Sequence, residues 1–313
     1  MNSRALPTAH LVAVGVAIVA YAAINPLRLE HWTMLGALAC LAWWSRRTRQ
    51  LALTLVPVVI FAWVYDLLRL FRPRSFKQVT VEWIYDAELA LFGWMHPDGP
   101  VEAFRQTHWF AVDLVGGIWY STHILTAIGF AVFLWWRIGR SSDPQDYSRW
   151  RNYIWGFLAL NAAGFATQAA WPVAPPWYVE AFGLQTPASC VIGDPAALAR
   201  VDAWLGYPHF ASIYQSSTYV FGAMPSLHVA CPTWLVLYQR GSTASWAAAI
   251  YAGLMAFFAV YLGHHYLIDV VAGIGFAYGT YLAVESERGS EVVAWIHAQG
   301  ARVLGVDGGR GSA

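Results

Sequence analysis

Residues 245–285 read SWAAAIYAGLMAFFAVYLGHHYLIDVVAGIGFAYGTYLAVE. Two apolar runs, 244–262 and 265–284, stand back to back around a Gly-His-His turn. Each is close to the roughly 20 residues that a membrane-spanning helix needs. Six further apolar stretches precede them, near 9–27, 32–45, 50–71, 110–136, 152–171 and 223–239. The pattern predicts an all-α, polytopic transmembrane bundle of about eight helices. Composition agrees: 58% of the 313 residues are hydrophobic and 12% are charged, against about 25% charged in a soluble domain. Disorder, a collagen-like fibre and an ordinary cytosolic enzyme are excluded. A net charge of +1 offers no basic field, so no nucleic-acid partner is expected. Cys40, Cys190 and Cys231 form no CxxC pair, so neither a disulfide framework nor a zinc site is implied.

The basic residues set an orientation. Arg4, Arg46, Arg47, Arg49, Arg137, Arg140, Arg149, Arg151, Arg240, Arg288, Arg302 and Arg310 fall on one side of the expected bundle. Arg28, Arg69, Arg72, Arg74, Lys77, Arg105 and Arg200 fall on the other. The richer side is expected to be cytoplasmic. Both termini then lie inside, and loops 72–109 and 172–222 face outward. Within the first loop, 79–94 reads as an interfacial helix with acids at Glu82, Asp86 and Glu88. The second loop, rich in Pro, Gly, Tyr and Ser, reads as a cap. The N-terminal stretch has a rival reading as a cleaved signal peptide, which leaves the rest of the orientation unchanged.

Ionisable residues at membrane depth are costly, and each is a functional candidate. His265 and Asp269 are four apart, so on a helix they share a face. A carboxylate there can take the proton on one imidazole nitrogen and leave the other free as nucleophile or base. A buried pair that merely ties two helices together is the alternative. The stretch FGAMPSLH at 221–228 lies where the second long loop enters a helix. Pro225 and Ser226 suit a helix start, whose amides favour an anion. Ser226 can donate to phosphate, and His228 can give or take a proton; a capped helix with an interfacial histidine is the alternative. Topology places His228 and His265 at one depth on one side. Two histidines, an aspartate and a helix start at one face suit phosphoryl transfer, with the two rings roughly 6–9 Å apart.

Pro-Ser-Leu-His at 225–228 and His-Tyr-Leu-Ile-Asp at 265–269 resemble the second and third motifs of the type 2 phosphatidic acid phosphatase superfamily. FGAMPSLH (221–228), APPWY (174–178) and YLGHHYLIDV (261–270) are similar to its aureobasidin-resistance branch, the inositol phosphorylceramide synthases. The resemblance spans roughly 60–285. It implies a six-helix core with a site at the non-cytoplasmic face and no metal or cofactor. It also implies His265 as nucleophile forming a phosphohistidine, Asp269 as its orienting partner, His228 as general acid then base, and Ser226 as phosphate ligand. The domains expected are membrane helices over 1–50, the catalytic membrane domain over 51–285 and a cytoplasmic tail over 286–313.

Two departures stand out. The superfamily's arginine six residues before the third-motif histidine is Ala259 here, and its first motif, Lys then Arg-Pro seven residues on, reads Gln168 and Pro175-Pro176. The basic cluster Arg69, Arg72, Arg74 and Lys77 is a candidate to meet the phosphate charge; a collar for anionic lipid heads is the alternative. Asp66, three residues from Arg69, is either a substrate contact or its ion-pair partner. His264 is a candidate phosphate donor. Asp113, Tyr120 and His123 form a polar stripe, with His123 about 15 Å along the helix from Asp113; the stripe lines a substrate pocket or bonds helices together.

The activity expected is transfer of a phosphate-bearing headgroup, such as phosphoinositol, from a phospholipid donor to a lipid hydroxyl. Hydrolysis of a lipid phosphomonoester, with water as acceptor, is the first alternative. A lipid transporter or scramblase is more remote, since no related halves are visible, and a haem protein leaves Asp269 unexplained. The bilayer is the expected surrounding, and the sequence sets no oligomeric state.

Overall fold

The computed structural model describes residues 8–71, 78–187, 191–217 and 219–306, and among them the regular structure is helical. The chain begins with α1 (Thr8–Ile24), α2 (Leu29–Trp44) and α3 (Arg46–Leu67). The short α4 (Glu82–Phe92) and α5 (Pro100–Gln106) follow. Next come α6 (Phe110–Tyr120), α7 (His123–Ile138) and α8 (Pro144–Ala170). The 172–222 segment carries three short helices, α9 (Pro176–Phe182), α10 (Ala199–Leu205) and α11 (His209–Gln215). The chain closes with α12 (Leu227–Gln239), α13 (Ser245–Tyr261), α14 (Leu267–Glu285) and α15 (Glu287–Val303). Arg4, Arg72, Arg74, Lys77, Cys190 and Arg310 lie outside the described residues.

Each of the eight apolar stretches contains a helix, but the stretch near 110–136 is broken: α6 and α7 meet at 46° across Ser121 and Thr122. Tyr120 and His123 therefore flank a bend rather than continuing one straight stripe. Among the described residues, Arg46–Leu70 and Leu267–Glu285 are long and apolar enough to cross a membrane by length and composition, and the bent α6–α7 pair makes a third span if counted as one. That is fewer than the eight expected, for a physical reason. Helix α12 has 13 residues, about 20 Å at 1.5 Å per residue against a hydrocarbon core of about 30 Å. Helix α8 opens on a polar turn, Pro144-Gln145-Asp146.

The described chain forms two compact units. The first comprises 1–67, 128–158 and 282–313. Helix α2 lies along α3, and α15 also touches α3. Of the tail residues described, Glu287–Val303 form α15, which buries Val293, His297 and Ala301. His297 accepts the Trp155 indole N–H on Nδ1 at 3.0 Å, and its Nε2 meets the Tyr147 hydroxyl at 2.9 Å. Asp66 is buried here and takes bonds from Arg28 Nη2 (2.7 Å), the Tyr21 hydroxyl (3.0 Å) and the Asn25 amide. His31 stands 3.4 Å from the same carboxylate.

The second unit comprises 68–127 and 159–281. Helix α13 runs beside α12 and α6, and α10 beside α6. Tyr120, Val229, Met255, Phe258 and Leu262 share its main apolar core. The 172–222 segment is tied to the rest of the unit by Arg200. Its guanidinium donates twice to Asp113, at 2.7 and 2.8 Å, and the Tyr261 hydroxyl donates to the same carboxylate at 2.8 Å. The two ends of the same segment also meet Thr80 and each other through parallel bridges, Thr80 with Val173 and Val173 with Gly222.

Candidate active site

The second-motif stretch enters α12 along a supported path. Val173 N–H donates to Phe221 C=O at 2.8 Å, and the Gln168 amide donates to Pro225 C=O at 3.1 Å. Gln168, at the position where the resemblance implies a lysine, therefore serves as a neutral tie beneath the motif. Ser226 occupies the cap position of α12, but its hydroxyl caps nothing. Its N–H instead donates to Asp269 C=O at 3.1 Å, which joins the two motifs directly. Close approach of α14 makes this possible. A Cβ on Gly273 would stand 2.4 Å from the Ser226 carbonyl oxygen, so only glycine fits there.

The third-motif stretch turns between α13 and α14. Gly263 supplies the left-handed conformation at φ +75. The N–H groups of His264 and His265 both return to Ala259 C=O, at 3.2 and 3.0 Å. The 172–222 segment grips the same turn: Trp177 N–H reaches Gly263 C=O at 3.2 Å, and Ala197 N–H reaches Leu262 C=O at 3.3 Å. Asp269 Oδ2 accepts Tyr266 N–H at 2.9 Å and stands 3.5 Å from His265 Nδ1, within ion-pair range but without a formed hydrogen bond.

The rings then assemble. His228 and His265 have centroids 5.7 Å apart, slightly closer than the spacing expected for in-line transfer. The crowding has a visible cause: Tyr120 stacks on His228 at 3.9 Å, and His123 lies 4.0 Å from it. Tyr120 also stacks with His264 at 5.1 Å, and His264 stacks with Tyr214 of α11 at 4.6 Å. Burial pushes the His264 imidazole down, to about 3. At neutral pH it is an uncharged ring with one N–H to offer.

Buried polar atoms in proteins are nearly always paired. Here Ser226 Oγ, His264 Nε2, His265 Nδ1, Tyr266 OH and Asp269 Oδ1 are all buried without a hydrogen-bond partner. These five atoms lie within the two motif stretches, and Asn25 Oδ1, Arg49 Nε and Trp63 Nε1 are unpaired in the same way elsewhere. Among the described residues, no three His, Cys, Asp or Glu side chains converge as a metal site would need.

Of the residues singled out from sequence, His228, His265, Asp269, Ser226, His264, Tyr120 and His123 thus come together in the second unit. The polar stripe splits. Tyr120 and His123 face the histidines, whereas Asp113 is spent on Arg200 and Tyr261. Asp66 belongs to the first unit's cluster, and Arg69 lies half-buried in the 3-10 turn Leu68–Phe71. Sequence reasoning missed Tyr214 and Glu88. Glu88 is 1% exposed on α4 and accepts the N–H groups of Leu267 and Ile268 at 2.9 and 3.0 Å. Burial raises its carboxyl above the usual range, against the opposing pull of those two N–H groups. Its spacing from the buried Val81 and Ile84 was the available signal.

The PAP2 superfamily model matches residues 82–283. The phosphoinositol dihydroceramide synthase of Bacteroides thetaiotaomicron is 32% identical over 284 residues, covering 88% of this chain and 90% of that protein. The inositol phosphorylceramide synthase of Candida albicans is 33% identical over 125 residues, 39% of this chain and 26% of that protein. The catalytic subunit of the Saccharomyces cerevisiae inositol phosphorylceramide synthase is 34% identical over 121 residues, 38% of this chain and 30% of that protein. No solved structure matches the chain at a significant level.

Proposed function

The chain belongs to the PAP2 superfamily, the type 2 phosphatidic acid phosphatases and their relatives, and from that membership we propose that this integral membrane enzyme transfers phosphoinositol from a phospholipid to a ceramide-type hydroxyl. The observation that carries the reading is the pair of rings, His228 and His265, 5.7 Å apart with Asp269 behind the second. His265 attacks phosphorus through Nε2, with Asp269 orienting the ring from the Nδ1 side. His228 protonates the departing diacylglycerol oxygen. The phosphohistidine so formed is then attacked by the acceptor hydroxyl, whose proton His228 takes back. Ser226 and His264 donate to the non-bridging oxygens, and Tyr120 and His123 wall the pocket. The site faces the extracytoplasmic side in this reading, and the termini lie in the cytoplasm.

The altered cationic positions favour a diester over a monoester. A phosphomonoester carries roughly −1.5 to −2 charge at pH 7, whereas a phosphodiester has a single ionisable oxygen and carries one. Ala259 and Gln168 stand where the superfamily pattern implies cations, and Ala259 is fully buried in the core. Neutral donors suit the lesser charge.

The test is product analysis. Purified protein is given headgroup-labelled phosphatidylinositol with ceramide, with diacylglycerol, or with water alone. Label appearing in an inositol phosphorylceramide only when ceramide is present is the expected result. Release of free phosphate from phosphatidic acid, with no transfer to ceramide, overturns the reading in favour of a phosphatase. Quenching in mid-turnover with a neutral denaturant should trap label on His265 that is then released by acid.

A further inference from the structure

Four backbone N–H groups precede the first i→i−4 bond of helix α14, which runs from Val270 N–H to Tyr266 C=O. Tyr266 N–H is taken by Asp269 Oδ2, and Asp269 N–H by Tyr266 C=O at 3.2 Å. The two between them, Leu267 and Ile268, are taken by Glu88 alone, one by each carboxylate oxygen. Glu88 comes from α4, about 180 residues upstream and outside both motifs. A buried carboxylate is costly unless each oxygen is satisfied; two N–H groups at the positive end of a helix satisfy it.

We propose that Glu88 is a positioning residue that keeps Asp269 directed at His265. The physical reason is competition. Asp269 sits in the first turn of α14, where an aspartate readily bonds its own helix's free N–H groups. While Glu88 occupies Leu267 and Ile268, Asp269 has only the Tyr266 N–H to satisfy, and its Oδ2 stays 3.5 Å from His265 Nδ1. Without Glu88 the freed N–H groups draw the Asp269 carboxylate along the helix end and away from the imidazole. The same arrangement occupies the positive end of α14, so phosphate must be met by Ser226 and His264 rather than by that helix terminus.

The inference rests on the transfer reading only for its kinetic arm, and a spectroscopic arm is independent of it. Glu88→Gln keeps the shape but presents one acceptor and one donor to two donors. In full-length detergent-solubilised protein, kcat for transfer to ceramide is expected to fall about ten- to a hundredfold with KM within about twofold. The loss should vanish in the Asp269→Asn background, because both changes act through the same imidazole. In ¹⁵N-histidine NMR spectra, the single His265 tautomer of the parent protein should become a mixture. Wild-type kcat in Glu88→Gln, a loss that simply adds to that of Asp269→Asn, or an unchanged His265 signal overturns the proposal. If the parent protein transfers nothing, the functional reading fails while the NMR arm still decides this one. If Glu88→Gln does not fold, Glu88→Asp, which keeps the charge but is a methylene too short, is read by the same spectra with the same outcomes.

Discussion

Among the described residues are two buried His–Asp pairs, one in each compact unit, and they differ in what surrounds them. In the first, His31 Nε2 lies 3.4 Å from Asp66 and 3.2 Å from the Tyr21 hydroxyl, while Nδ1 accepts the Arg28 N–H at 3.0 Å. Asp66 is further bonded by Arg28, Tyr21 and Asn25. Both nitrogens and the carboxylate are occupied. In the second, His265 Nδ1 and Asp269 Oδ1 lack hydrogen-bond partners, and His228 stands one ring away. A saturated pair holds helices together. The unsaturated pair, facing another imidazole, is the one that the proposed transfer uses. The distances alone, 3.4 and 3.5 Å, do not separate the two.

The sharpest way to break the contrast is His265→Ala. It should lower transfer by about a thousandfold or more while the protein stays folded, because it removes the proposed nucleophile. Residual turnover near the wild-type rate, measured on labelled phosphatidylinositol, would dissolve the distinction between the pairs. His228→Gln should cost about 10²- to 10⁴-fold in kcat, the range for a lost general acid–base. Its deficit should be smaller for donors with better leaving groups, and an equal deficit for all donors would assign His228 another part. Gly273→Ala tests the approach of α14 to Ser226. The added methyl meets the Ser226 carbonyl at 2.4 Å, so a loss of about 1–3 kcal/mol in stability is expected, seen as a lowered Tm together with reduced kcat. The smallest catalytic effect belongs to His31→Gln. It should lower Tm through a loss of about 1–3 kcal/mol, yet leave kcat per folded molecule within about twofold. A kcat loss comparable to that of His228→Gln would mean that the first pair also serves the reaction.

Much of this was legible in the sequence. Pro-Ser-Leu-His and His-Tyr-Leu-Ile-Asp carried the superfamily, and the matched region 82–283 and the related synthases bear that reading out. The helical class was legible because long apolar runs have few other ways to satisfy their backbone groups. The number of spans was less so, because hydropathy does not register a bend such as that at Ser121–Thr122 or a helix that stops short like α12. Asp113, Tyr120 and His123 looked like one stripe on a straight helix. The bend and the pull of Arg200 divide them between two tasks.

Sequence alone thus determined which residues are chemically able to act. Histidine, serine and aspartate at fixed spacing in apolar surroundings have few inexpensive uses, and local spacing is written directly in the chain. Tertiary structure alone decided which of them come together. It brought Ser226 N–H to Asp269 C=O across 43 positions, set Tyr120 against His228, and sent Glu88 to the first turn of α14. These contacts depend on where distant segments meet, and no local rule of periodicity or capping encodes that meeting. Whether a buried His–Asp pair is saturated or open is a property of its neighbours in space.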